Sequence, residues 1–527
     1  MIQASNGRLG VLALMLLAGA APARAQTVEG ILAPAGHLRL QVAPAWQLWD
    51  RRFGLREGAF GPIEEEEPLG FDLEHEPLLR FPALEQGLRE ALGDPGLELV
   101  LGSARAQITR EQTTVSLGAA LGVSDWLTVG VEVPLVETRT EIAFDFRALG
   151  SANLGLAPTA QSIDAFRASL LGSQAALRAR REEQCPGGPD CTVLTELLDR
   201  YQPFAATLHN AYDAPVFLIS SSDAAAELEQ KLAEFRMEAA ERAPGVTMPG
   251  VAPLADAPLN ETQLVQLLTT HPSGPRLFAP LQTNRAPFQI GDVEVSAAVR
   301  LLEGAFRDSA SAPVRLRYVV GVGALVRLPT GTIDDPDVPL DLSRADGQLD
   351  VEARGFADLR WGRFGIKMGI RRGFPRGTTL IRRVAPPEIV MAPLETRRTV
   401  RWTPGGYLEL EASPRWHLTD ELALGVHVRR FTKDADEFEE TVAALPLESL
   451  PSFPTDVLER ETEATLTELG AGLAFSTLVS WREGRAGLPV EVRLTVRRAV
   501  AGSGGATPAA LRLEAGGQVF VGLWGGG

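Results

Sequence analysis

The sequence predicts an all-β fold: a closed antiparallel transmembrane β-barrel of about twelve strands, carrying a partly helical insertion. Three observations carry that expectation. Apolar and polar residues alternate over runs long enough to cross a bilayer. The connections between those runs alternate between tight turns and long loops. The charged residues fall almost everywhere on the face opposite the apolar one.

The chain opens on a leader. Arg8 and the amino terminus give a weakly positive start, and Leu9 to Ala21 is an apolar run of 13 residues. That run is too short to span a bilayer as a helix. Ala23-Arg24-Ala25 fits the small-x-small cleavage rule, so residues 1–25 read as a signal peptide and the exported chain begins at Gln26. No cysteine stands at the cut, which argues against a lipoprotein anchor. Further along, no stretch approaches the roughly 18 apolar residues of a transmembrane helix. The formal charge is −16, and loss of Arg8 and Arg24 with the leader makes it −18. So acidic a chain is a poor partner for nucleic acid.

The strands follow in order. Leu127, Val129, Val131, Val133 and Leu135 share one face of a pleat. Val314, Leu316, Tyr318, Val320, Val322, Ala324, Val326 and Leu328 repeat the pattern, as do Leu488 to Val496 and Leu511 to Leu523. Soluble strands usually run about 5–6 residues, whereas membrane strands need roughly 9–11. Twelve strands are expected near 37–49, 105–121, 126–144, 288–302, 313–329, 348–361, 363–374, 401–416, 421–432, 463–479, 488–499 and 510–524. Tight turns at 122–125, 361–363 and 418–420 alternate with long loops at 50–104, 145–287, 330–347, 375–400 and 433–462. A soluble sandwich has no reason to sort its loops this way. The expected layout is therefore leader 1–25, strands one to three with a long first loop at 26–144, an extracellular insertion at 145–287, and the remaining strands at 288–527.

Helical stripes punctuate the long loops. Ile163, Phe166, Leu170 and Leu177 form one, and Leu228, Leu232, Phe235 and Ala239 another. Leu84, Leu88 and Leu92 make a shorter one, stopped by Gly93. Cys185 and Cys191 are the only cysteines; behind a signal peptide they are expected to form a disulfide. A metal site there lacks further ligands.

If the apolar face meets lipid, the alternate positions line the lumen. The candidates are Arg315, Arg317, Arg327, Arg354, Lys367, Glu409, His427 and Arg429. Two readings of this lining stay open. One is a polar pore that filters solutes. The other is a salt-bridged filling of a closed lumen. Small barrels of about eight strands are filled and those of 16–18 leave a channel, so twelve does not decide.

No catalytic signature is present: neither G-x-S-x-G, nor H-E-x-x-H, nor a phosphate-binding loop. The six histidines are scattered without ligand spacing. His427 invites pairing with a serine and an acid from other strands, but a polar network is the simpler reading. The acidic run Glu64 to Glu67 reads as a solvated loop before it reads as a calcium site. Neither enzyme activity, cofactor nor metal is expected.

Four segments resemble the outer-membrane barrel family of transporters associated with the meta-cleavage pathway of phenol degradation. They are GVSDWLTVGVEVPLV at 122–136, GDVEVSAAVRLL at 291–302, VRLPTGT at 326–332 and LTDELALGVHV at 418–428. The resemblance covers the strands in order but not 145–287, and it supplies no catalytic residues. It implies passive passage of small hydrophobic or aromatic compounds. The chain departs from the usual barrel in its four tyrosines, its long insertion and the three glycines that follow Trp524. The expected location is the outer membrane of a Gram-negative bacterium. The expected partners are its lipid bilayer, the outer-membrane assembly machinery and small-molecule solutes. The alternative is a non-conducting anchor that presents its insertion for binding.

Overall fold

Side chains that alternate across a pleat leave one face to lipid and the other to a lumen, and a ring of such strands results. A computed structural model describes residues 32–524, apart from 59–60, 73–80, 148–150, 185–189, 272–283, 307–315, 337–341, 343–344, 346, 387–391, 393, 442–452 and 505–506. The leader, Arg315 and Cys185 lie outside the described residues, as does the side chain of Cys191.

Twelve antiparallel strands build the barrel. They are β1 His37–Trp49, β2 Ser103–Gly122, β3 Leu127–Arg147, β4 Asn284–Ile290 continued by Val293–Phe306, β5 Leu316–Leu328 and β6 Asp350–Trp361. The others are β7 Phe364–Pro375, β8 Tyr407–His417, β9 Leu422–Lys433, β10 Ala464–Ser476, β11 Val490–Ser503 and β12 Leu511–Gly522. Each pairs with its neighbours in sequence, and β12 pairs with β1 from His37↔Gly522 to Leu48↔Leu511, which closes the ring. The register Trp361↔Phe364 leaves Gly362-Arg363 as a two-residue turn, and Gly362 supplies its left-handed conformation at φ 58°. That turn, 123–126 and 418–421 lie at one end of the barrel, the short-turn end, together with 477–489 and its short helix Leu478–Arg482; the connections that carry the helical unit and the outer hairpins lie at the other.

The exterior is apolar in a band. On β3 it runs from Leu127 through Leu135, then switches to Glu137, Arg139 and Glu141 on the same face. Above that switch the outward charges pair, as Arg285 with Glu137 at 2.5 Å and Arg139 with Glu111 at 4.0 Å. Exposed side chains continue the band around the ring, among them Val322, Ile370, Leu424, Leu473 and Val496. At its lower edge Trp361, Phe364 and Trp416 touch in sequence, with ring centroids 4.7 and 6.5 Å apart. These rings form the aromatic girdle on that side.

The hairpin of β2 and β3 rises beyond the band and carries a helical unit. Its helices are α1 Phe81–Leu92, α2 Ala160–Gln184, α3 Asp190–Ala211, α4 Asp223–Arg242 and α5 Glu261–Thr269. The stripes Ile163, Phe166, Leu170, Leu177 and Leu228, Leu232, Phe235, Ala239 are buried as helical spacing dictates. Two elements depart from expectation. The sequence reading has no α3, which contains Pro203 yet buries Leu194, Leu197, Tyr201, Phe204 and Leu208. It also has no α5, which opens on a capping box of Asn260 and Gln263. The unit is not made of 145–287 alone, because α1 and Leu97 to Leu101 of the first long loop share its core. Ile142, Phe144 and Phe146 of β3 pack against that core from the face that, lower down, lines the lumen. The acidic run Glu64 to Glu67 belongs to a hairpin with Arg51–Gly58, where Arg52 bonds Glu67 at 2.6 Å.

Candidate functional site

The inward positions of the strands converge on one charged lumen. On β6 the inward face carries Asp350, Glu352, Arg354, Phe356 and Asp358; on β8 it carries Glu409, Glu411, Ser413 and Arg415. Burying so many charges is tolerable only if they are paired. On these two strands each charged group has a partner. Glu468 accepts from Arg429 at 2.7 Å, Arg429 bonds Glu409 at 2.5 Å, and Glu409 pairs with Arg371. Arg371 reaches Glu411 at 3.2 Å, and Glu411 meets Arg497 at 3.6 Å; Arg497 closes on Glu514. This single chain of seven charged groups runs from β10 to β12. One link crosses open space: β8 and β11 are not adjacent strands, so Arg497 and Glu411 bridge the lumen.

Toward the long-loop end the lumen widens to a cavity of about 470 Å³. Glu132, Glu294, Arg327, Glu409, Arg429 and Arg512 line it, with Trp402, Tyr407 and Phe431 near its mouth. Arg327 is held between Glu294, at 3.3 Å, and Asp350. Tyr407 donates to Glu352 at 2.5 Å. Below the Arg497–Glu411 bridge lies a second chamber of about 100 Å³, lined by Arg354, Lys367, Arg371, Arg415, His427 and Arg493.

The short-turn end is closed by apolar side chains. Phe356 of β6 and Ala298 of β4 are buried together with Leu32 against them. The next residue, Ala33, is buried with Phe520 of β12 and Leu478. Strands β6 and β12 stand opposite each other in the ring, so two consecutive residues span its mouth. The Ala33 amide donates to Thr128 Oγ1 at 2.9 Å and fixes the crossing.

Of the residues singled out from the sequence, Arg327, Arg354, Lys367, Glu409, His427 and Arg429 lie together on this inner wall. Arg317 does not join them. It is exposed at the short-turn end, in register with Arg360. His427 Nδ1 and Ser413 Oγ share a hydrogen bond of 2.8 Å. An acid-assisted dyad also requires a carboxylate on Nε2, and the bond to Ser413 by itself does not supply one. The residues missed by sequence reasoning are Phe356, Leu32 and Ala33. Phe356 replaces a charge on an otherwise charged face, which is the one signal that marks it.

No protein-family model matches the sequence, and no curated protein matches it. Among solved structures the chain is similar to an outer membrane channel from Pseudomonas putida F1, at 7% identity and a TM-score of 0.41, over 95% of this chain and 100% of that one. It is also similar to the CymD monoaromatic hydrocarbon channel, at 9% identity and a TM-score of 0.24, over 93% and 89% of the two chains. A third is the translocator domain of the autotransporter NalP from Neisseria meningitidis, at 6% identity and a TM-score of 0.27, over 97% and 95%. The closed ring of twelve antiparallel strands, its apolar outer band and its charged interior make this chain an outer-membrane β-barrel.

Proposed function

We propose that the barrel is a channel for passive passage of small solutes through the outer membrane. The observation that supports this reading is the charged cavity of about 470 Å³ at the long-loop end, which narrows to the Arg497–Glu411 bridge. A lumen meant only to be filled has no need of such a vestibule. Strand β1 begins and strand β12 ends at the short-turn end; in this reading that end faces the periplasm and the helical unit faces outward. Insertion of such a ring falls to the outer-membrane assembly machinery.

Passage of hydrophobic or aromatic compounds follows from the family resemblance alone. The rings of Trp402, Tyr407 and Phe431 offer such a solute some surface at the cavity mouth. The charged groups below them suit small polar solutes better. A second reading is a non-conducting anchor for the helical unit. The separate apolar core of that unit and the closed short-turn end favour it. Liposome swelling separates the two. The channel reading predicts solute-dependent swelling by the purified barrel, and the anchor reading predicts none. Trypsin added to intact cells cuts the helical unit if the long-loop end faces outward; protection reverses the orientation.

A further inference from the structure

The lower chamber differs in character from the vestibule above it. Five cations face it, Arg354, Lys367, Arg371, Arg415 and Arg493, against one carboxylate, Glu411. That carboxylate is already engaged by Arg371 and Arg497. The acids that balance the other cations lie outside the lining: Glu352 on Arg354, Glu409 on Arg371, and Asp358 on Arg415 and Lys367. The chamber therefore meets N–H groups and not the carboxylates behind them.

Several of those groups are unused. Arg354 Nη2, Arg415 Nε and Arg493 Nε are buried with no hydrogen-bond partner among the described residues. The Arg493 side chain makes no ion pair within 4.0 Å among the described residues, although its neighbours on the inner wall are paired. Buried donors of this kind are normally satisfied, and guanidinium groups are most strongly satisfied by carboxylates and oxoanions. Space is provided by small inward residues. Gly369, Gly425 and Gly472 sit on β7, β9 and β10, and a Cβ on Gly369 meets nothing nearer than 3.9 Å. Ser413 and His427 add polar groups to the same wall.

We propose that this chamber binds a small oxygen-bearing anion, a carboxylate or an oxoanion, with Arg493 as its principal counter-charge. The proposal extends the channel reading by naming a solute class, and as a transport step it rests on that reading. Binding itself does not. A donor-lined site on the path of a solute raises the local concentration of anions and disfavours cations of similar size.

Isothermal titration calorimetry on the purified, folded chain in detergent at low ionic strength tests it, with inorganic phosphate, benzoate and choline as probes. Saturable binding of phosphate or benzoate but not choline is expected. Which anion binds separates an oxoanion site from a carboxylate site. Arg493→Gln removes the charge, and Gly369→Val fills the hollow while removing no charged group, its Cβ lying 3.9 Å from Glu411. Each is expected to weaken binding at least tenfold while the variant keeps its heat-modifiable gel mobility. If Arg493→Gln does not fold, Gly369→Val decides alone. Absence of saturable binding by either anion, or unchanged affinity in a folded variant, overturns the site. Binding without conductance leaves the site and removes the channel reading; conductance without binding does the reverse.

Discussion

Arg497 of β11 and Glu411 of β8 meet at 3.6 Å across two intervening strands, and Arg497 also holds Glu514 of the neighbouring β12. This contact divides the lumen into a vestibule and a lower chamber. Arg497→Ala leaves Glu514, whose side chain is 3% exposed, without its cation. Removing one partner of a buried pair typically costs about 3–5 kcal/mol, because the other charge remains. Adding Glu514→Gln recovers part of that loss. Urea unfolding, followed by gel mobility before and after boiling, measures both. A loss within about 0.5 kcal/mol, typical of a surface substitution, shows that the bridge does not hold the wall together.

Val322 tests the outer face. It is 44% exposed, and Gly321 and Gly323 on either side of it point to the lumen. Val322→Arg places a charge in the apolar band and is expected to destabilise by about 2–4 kcal/mol near mid-membrane. A neutral result in bilayers removes this face from the lipid.

Tyr201 gives the helical unit a pH dependence. It is fully buried in the unit's core, where its hydroxyl and Ser173 Oγ share a hydrogen bond of 2.6 Å. Burial pushes its ionisation up to about 12, and burial also raises that of Tyr212. The folded state thus holds its proton more tightly than the unfolded one. The stabilisation is fully present below pH 10 and is lost as pH rises from there through about 12. Its size for Tyr201 is on the order of 3 kcal/mol. Near-ultraviolet circular dichroism across that range is expected to show the unit loosening, and Tyr201→Phe to blunt it. An alkaline profile unchanged in Tyr201→Phe contradicts the assignment.

Cys185 and Cys191 are proposed to bond to each other. Helix α2 ends at Gln184 and α3 begins at Asp190, so the two cysteines flank the corner between them. So short a loop adds on the order of 2 kcal/mol at most. Thiol titration of the denatured, unreduced protein is expected to find no free thiol; two free thiols refute the bond.

The strands were legible because a pleat has period two and this chain keeps that period through β3, β5, β11 and β12. The expected stretch 126–144 became Leu127–Arg147, and 488–499 became Val490–Ser503. The helical stripes were legible for the same reason at a different period. Helix α3 was not, because Pro203 sits inside it and its buried face is broad. The alternation of sides also says that Arg317 and Arg327 share a face, but not that the first ends exposed at the short-turn end and the second buried. That depends on where the ring closes. Ring closure alone brings Arg497 to Glu411, and Leu32 and Ala33 to opposite walls. No local pattern encodes contacts between strands three or six places apart.

The account turns on whether the lumen is a path for solutes, closed at its short-turn end by Phe356 and the Leu32–Ala33 crossing. Single-channel recording of the wild-type barrel and of Phe356→Ala in planar bilayers tests this most directly. Discrete, small conductance steps are predicted for the wild type, and larger steps or a greater open fraction for Phe356→Ala. If both proteins insert, keep their heat-modifiable mobility and pass no current at any voltage, the lumen is a filled core and the channel reading is contradicted.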